Sequence, residues 1–440
     1  MENLKNGVLP PSSFWYPYIS PTPGEFPIIC WGGFNINEEY RLFHGDDESK
    51  SSYADFVKKE IRDMTEAGFN VVMETIYANI YKPKQDWIAE SGLKVIGQPD
   101  GADCANQNSL ASRINDFLKD CDVSQVTAFM LGSEPPYEEL DDWEQSYTRA
   151  IEIWKPIKNL MTYINLSVLD EEPNIAADET YERYMNKLRT MFRLPVWCYD
   201  QYPLEYIGGE MSVQTNFYKY LELFSKMSNQ TGRPFWAFVQ CLQLLRDPKT
   251  AYPTYDRMHY AAFSALAYGA QGINYWSFQT GNYTDIKVFG PAPIDRDYNR
   301  TFIWTAVKRL NEKIRNYASV FLGASLVLAR HTGDHIWEGD VKYYDPHTDD
   351  FGPLMGIVST NTGVLLTRLK NKIINYLVVV NHSPYTSQAI RLIFDSTVAV
   401  YRLDLPQNPV QITPGTPDLP QGLIREYTLQ PGGAEVFTWL

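Results

Sequence analysis

The chain has 440 residues and a formal net charge of −14. It is long enough for a barrel-sized core and too acidic to offer phosphates a cationic stripe, which argues against nucleic acid and anionic membrane surfaces as partners. No stretch reaches the roughly 20 apolar residues of a membrane-crossing helix, and the opening MENLKNGVLPPSSFWYPY lacks a charged stretch followed by an apolar run, so neither membrane insertion nor a signal peptide is read in this chain.

Eight short apolar or aromatic runs, each ending in polar residues, recur along the first 320 positions. In chain order they are Pro27–Phe34, Phe69–Thr75, Gly92–Gln98, Val126–Glu134, Met161–Val168, Pro195–Tyr202, Pro234–Gln240 and Gly272–Phe278. Between them the apolar period changes to that of helices. Val57, Ile61 and Met64 step by four and three before Gly68, a glycine suited to end a helix, and Leu110, Ile114, Phe117 and Cys121 repeat the pattern. So do Trp143, Tyr147, Ile151 and Trp154, then Tyr184, Leu188 and Met191, and Phe217, Leu221 and Phe224. Strands apolar on both faces, alternating with helices and eight in number, predict an α/β fold, a (β/α)8 TIM barrel over residues 1–319. The helix from Thr301 to Ala318 would be its last. Beyond it come short strand-like runs broken by Gly, Asn, Pro and Ser, including LMGIVS, GVLLTRL, INYLVVVN, AIRLIFD and VAVYRLDL. They predict a small β-sandwich domain over 320–440.

In a (β/α)8 barrel the reactive groups sit at the C-terminal ends of the strands. Glu134 ends the fourth run, in MLGSEPPYEEL. Ala128, Met130, Gly132 and Glu134 share one parity, which predicts that Glu134 faces the barrel mouth, and Pro135 predicts extended backbone at Glu134. The other strand ends supply Glu74, Gln98, Asn165, Asp200 with Tyr202, Gln240, and Asn274 with Trp276, while Trp31 of the first run adds an aromatic face. Carboxylates and amides that grip hydroxyls, beside indoles that floor a ring, compose a sugar site, and 11 Trp, 30 Tyr and 21 Phe favour the same partner. Glycoside cleavage needs one carboxylic acid to protonate the departing oxygen and a second carboxylate. Glu134 is the leading acid, Asp200 the preferred second group and Glu74 a third candidate; Trp276, Tyr202, Gln240, Asn274, Asn165, Gln98 and Trp31 are candidate substrate contacts. No metal or cofactor is expected: five cysteines show no C-x-x-C pair, and none of the six histidines ends a barrel run. His259 reads as a packed helical residue, and His331 and His335, four apart, lie in strand and loop.

The same residues carry a family resemblance. GSEPP in the fourth run, YDQYP in the sixth, SALAYGAQGINYWSF leading into the eighth and the closing LQPGGAEVFTWL resemble clan A glycoside hydrolases, in particular the family 42 β-galactosidases and uncharacterised barrel-plus-sandwich relatives. The resemblance covers about three quarters of the chain. It implies that Glu134, followed by Pro135, is the acid/base, although Ser133 stands where the family has asparagine. It also implies a nucleophilic glutamate at the end of strand seven, where this chain has Gln240, and an amide cannot form a glycosyl ester. The resemblance favours an extracytoplasmic location and leaves the oligomeric state open. Two functions follow as expectations: a glycoside hydrolase using Glu134 with Asp200, or a catalytically inactive carbohydrate-binding barrel.

Overall fold

The computed structural model describes residues 21–22, 24–76, 82–99, 104–120, 126–157, 160–168, 177–207, 210–245, 252–283, 285, 288–335, 337–359, 362–415 and 422–439. Eight strands close into one barrel: β1 (Ile28–Trp31), β2 (Val71–Ile76), β3 (Lys94–Pro99), β4 (Val126–Ser133), β5 (Met161–Ser167), β6 (Trp197–Asp200), β7 (Phe235–Gln240) and β8 (Ile273–Trp276). Their order around the barrel is β1-β8-β7-β6-β5-β4-β3-β2, and every neighbouring pair is parallel. Each strand is followed by at least one helix before the next begins. Both faces of the strands are covered, so Val71–Met73 and Met161–Leu166 are buried throughout, which is why they read as unbroken apolar runs. Gly68 closes the helix Asp47–Glu66 in the left-handed conformation (φ 90°), with Phe69 N–H donating to Met64 O at 3.2 Å.

The chain forms two compact units. One comprises Met1–Gln201, Gln230–Leu242 and Gly272–Thr305 and contains all eight barrel strands; the other comprises Tyr202–Asn229, Gln243–Gln271 and Ala306–Leu440. Inside the barrel, Tyr163 of β5 and Trp236 of β7 meet edge to face with centroids 5.4 Å apart. Gly272 makes room for that indole, since a Cβ there would lie 2.4 Å from Trp236 Cδ1.

Among the described residues of the second unit, nine strands after the barrel make two sheets: β9 (Ser325–His331), β10 (Leu354–Ser359), β11 (Val364–Asn371), β12 (Ile374–Asn381), β13 (Gln388–Asp395), β14 (Tyr401–Leu403), β15 (Val410–Gln411), β16 (Gly422–Leu429) and β17 (Ala434–Trp439). The larger runs β9-β11-β12-β17-β14-β15 and the smaller β10-β13-β16. Leu366, Leu377, Val379 and Phe437 from the first pack with Ile390, Leu392 and Phe394 from the second as one core, so the region is the expected β-sandwich. The sequence patterns missed β9 and β16, and also the antiparallel hairpin of Leu204–Ile207 with Glu210–Val213 that follows β6. Cys121, part of one helical pattern, lies outside the described residues.

His331, at the end of β9, has both ring nitrogens engaged: Nδ1 lies 2.9 Å from His382 Nε2, and Nε2 lies 2.9 Å from the Tyr268 hydroxyl. Its partner is thus a histidine 51 positions away rather than His335. His259 is buried, stacked on Phe263 at 4.1 Å and bonded through Nδ1 to Gly432 O. Burial pulls His382 down to about 3 and drives His331 well below the usual imidazole range. Neutral in the folded chain and protonated in the unfolded one below about pH 6.5, each withdraws up to about 1.4 kcal/mol of stability per pH unit as the pH falls from there. Denaturant midpoints are therefore expected to fall between pH 6.5 and 4, and His382→Gln should show a shallower fall. Parallel curves for wild type and variant would count against this account.

Candidate functional site

Strand β4 does not keep a regular alternation to its end. Its pairing with β5 steps from Met130 opposite Tyr163 to Ser133 opposite Asn165, three residues against two, so one extra residue bulges from the strand. The bulge corrects the parity expectation. Phe129 packs on Trp154 of the helix Leu140–Trp154 (4.6 Å between centroids), and Gly132 also faces that helix, where a Cβ would lie 2.7 Å from Trp143 Cη2. Ser133, not Gly132, turns toward Asn165. The expectation of extended backbone at Glu134 is also overturned: its φ is +57°. A residue before proline disfavours the right-handed helical region, and here the chain meets that restriction with a left-handed turn. Two bonds hold it. Glu134 N–H donates to Asn165 O at 2.8 Å, and the buried Tyr184 hydroxyl donates to Pro135 O at 3.0 Å.

The turn swings the exposed Glu134 side chain into hydrogen-bonding reach of Asp200, at the end of β6 and half-buried. Burial and then the neighbouring Glu134 charge push the Asp200 carboxyl up to about 8, while a hydrogen bond from Asn165 works in the opposite sense. Tyr184 is raised by burial and by the same glutamate. Asp200, so raised, keeps its proton near neutral pH beside Glu134.

Asn165 organises this corner. It is 1% exposed. Its Nδ2 donates to Asp200 Oδ1 at 2.8 Å and to Ser133 Oγ at 3.0 Å, and its Oδ1 accepts from Cys198 Sγ at 3.4 Å. Asn274 Nδ2 of β8 reaches the same sulfur at 3.7 Å. A polar chain therefore crosses the barrel from β8 through β6 and β5 to β4.

The remaining candidates sit as follows. Trp276 lies on the rim with Tyr283 and Phe289, at 5.8 and 6.1 Å between centroids, and the Trp276–Ser277 peptide is cis. Trp31 meets Phe238 of β7 edge to face at 5.5 Å. Gln240 ends β7 half-buried, its Nε2 donating to Leu242 O at 2.8 Å. Gln98 is half-buried and stands opposite Thr75 of β2. Glu74 stands opposite Gly97, and its side chain lies outside the described residues. Tyr202 follows Asp200 by two positions, half-buried. Glu134, Asp200 and Asn165 come together, with Asn274 joined through Cys198. Sequence reasoning assigned no role to Cys198 or Tyr184: Tyr184 registered only as an apolar position of a helix, because nothing local marks where its hydroxyl goes.

No family model matches the chain, and no curated protein matches it in sequence. Solved structures match it in fold. A catalytic mutant of Gan42B, a GH42 β-galactosidase from G. stearothermophilus, has a TM-score of 0.59 at 9% identity, covering 94% of this chain and 98% of its own. A β-galactosidase from Bacillus circulans sp. alkalophilus has a TM-score of 0.57 at 9% identity, covering 94% and 99%. A glycoside hydrolase of family 5 from Bacteroides vulgatus ATCC 8482 has a TM-score of 0.53 at 11% identity, covering 94% and 88%. At such identities the likeness is one of fold, shared with GH42 β-galactosidases and a family 5 glycoside hydrolase.

The raised Asp200 carboxyl bears on stability. Its folded pKa lies above the unfolded value of about 3.9, so this contribution is intact below pH 4 and is lost progressively as the pH rises toward 8. Asp200→Asn is expected to raise Tm, by more at pH 8 than at pH 5, and Asn165→Ala to move the carboxyl titration further up. Carboxyl-labelled NMR titration and thermal melts measure both, and a Tm gain independent of pH would contradict the assignment.

Proposed function

We propose that the barrel is a glycoside hydrolase acting on a glycan or oligosaccharide, with Glu134 as general acid/base and Asp200 as the second carboxyl. The observation that carries this reading is the pair itself: two carboxyls on the ends of β4 and β6, in mutual hydrogen-bonding reach, one exposed at the mouth and the other raised by burial. Such a pair keeps a proton at neutral pH, where a lone glutamate would have lost it. Glu134, the solvent-facing member, delivers that proton to the leaving oxygen as the glycosidic bond breaks. Water adds to the anomeric carbon, and its surplus proton returns to the pair, so the cycle closes without net charge. Carboxyls in hydrogen-bonding reach are closer than the roughly 6.5–9.5 Å of inverting pairs. Asp200 therefore acts on Glu134, holding and returning its proton, rather than on the far face of the sugar. Gln240, an amide bonded to Leu242 O, supplies no carboxylate nucleophile, and on this reading water makes the attack.

That same amide favours a second reading, a carbohydrate-binding barrel without turnover. Calorimetry against a glycan panel beside a reducing-sugar assay separates the two, since binding without product supports the second. On the first reading, Glu134→Gln is expected to lower kcat by at least about 100-fold while leaving binding within a few-fold. Wild-type kcat/KM should decline above about pH 8, as the pair loses its proton. Turnover unchanged in the variant would refute the role given to Glu134.

A further inference from the structure

Around the rim from the carboxyl pair lies a cleft of about 170 Å³ walled by Trp31, Phe34, Ile36, Met73, Asn282 and Tyr283. Its place relative to the pair follows from the barrel layers. Asn274 of β8 and Cys198 of β6 are in contact, and both strands run the same way. Two residues further on, about 6.6 Å along each strand, are Trp276 and Asp200. The Trp276 ring contacts Tyr283, which is part of the cleft wall. One side of the mouth thus carries the carboxyls and the other this cleft.

The walls offer a ligand one unpartnered side-chain acceptor, the buried Asn282 Oδ1, set among mainly apolar side chains. Trp31, Phe34, Ile36 and Met73 present mainly apolar surface. The Asn282 Nδ2 is spent on Phe34 O at 2.9 Å and Gly32 O at 3.4 Å. The Tyr283 hydroxyl is engaged by the Trp276 side chain, with Ser277 beside it. The Phe34 ring is fixed from behind by the buried Lys84 ammonium, 3.9 Å from its centroid and bonded to Glu39 at 2.7 Å. A hydroxyl-rich ring buried here could satisfy one hydroxyl on Asn282 Oδ1 and would leave the others unpaired. By size, an apolar cavity of about 150 Å³ accommodates one benzene.

We propose that this cleft binds an apolar, ring-sized group of the substrate, so that the glycosides taken by this barrel carry an aryl aglycone or a methyl-bearing deoxy-sugar face in place of a fully hydroxylated ring. The inference rests on the reading of the barrel mouth as a sugar site.

The test uses the full chain and paired probes, with affinity from intrinsic tryptophan fluorescence and turnover measured alongside. Phenyl and methyl glycosides of one sugar form the first pair; 4-nitrophenyl glycosides of galactose and of its 6-deoxy counterpart form the second. The more apolar member of at least one pair is expected to bind about tenfold tighter or better, and which pair responds identifies the source of the group. Met73→Gln and Ile36→Ser, folded by circular dichroism, should shrink that ratio severalfold. Equal affinities within both pairs, or an unchanged ratio in both variants, overturn the inference and leave the glycosidase reading standing. Failure of every probe to bind, with no turnover on a wider glycan panel, overturns both.

Discussion

Two carboxyl groups brought within reach of each other cannot both lose their protons cheaply, and most of what distinguishes this barrel follows from that constraint. The strain of assembling the pair is visible in the backbone. A glutamate in the left-handed region costs of order 1–3 kcal/mol, and Glu134 occupies it at φ +57° with a bond to Asn165 O on one side of the turn and from Tyr184 on the other. The bulge in β4 is part of the same device. It points Gly132 at the helix Leu140–Trp154, where only a residue without Cβ fits against Trp143, and gives Ser133 the inward position. A regular strand would have set Glu134 elsewhere.

Beneath the pair the barrel uses neutral polar groups. Asn165, Cys198 and Asn274 are linked by hydrogen bonds in the interior, with Asn274 Oδ1 left without a partner, and none of them adds a charge beside the carboxyls. The Asn165 bond to Asp200 tempers the rise caused by burial. An aspartate buried without it would hold its proton too tightly to exchange with its neighbour near neutral pH, and a cation in its place would strip the proton away.

The barrel was legible in the sequence because its strands are covered on both faces. Runs such as Met161–Val168 and Pro234–Gln240 stand out against the helical period between them, and all eight correspond to barrel strands. The strand ends were legible as a site for the same reason, since a polar residue closing an apolar run has few places to be but the rim. The geometry at the rim was not legible. Alternation of two holds only until a bulge, and nothing in AFMLGSEPP announces one extra residue between Met130 and Ser133. The proline rule forbids one region to Glu134 but does not choose among the others, and the choice was made by Asn165 and Tyr184, 31 and 50 positions away. In the sandwich, β16 alternates exposed with half-buried residues and lacks the continuous apolar signal that revealed β11 and β12, whereas β9 carries the apolar run Leu326–Ala329 close behind the last helix and was not separated from it.

The rim is also unequal from one side to the other, which bears on how a substrate would lie. Carboxyls and their amide support come from β4, β5 and β6, whereas β1, β2 and the segment after β8 contribute indole, phenyl, thioether and aliphatic surface. A ligand with one hydroxylated and one apolar end would find a single orientation in which neither end is mismatched. On the proposed reading, that inequality selects which end of a glycoside approaches Asp200.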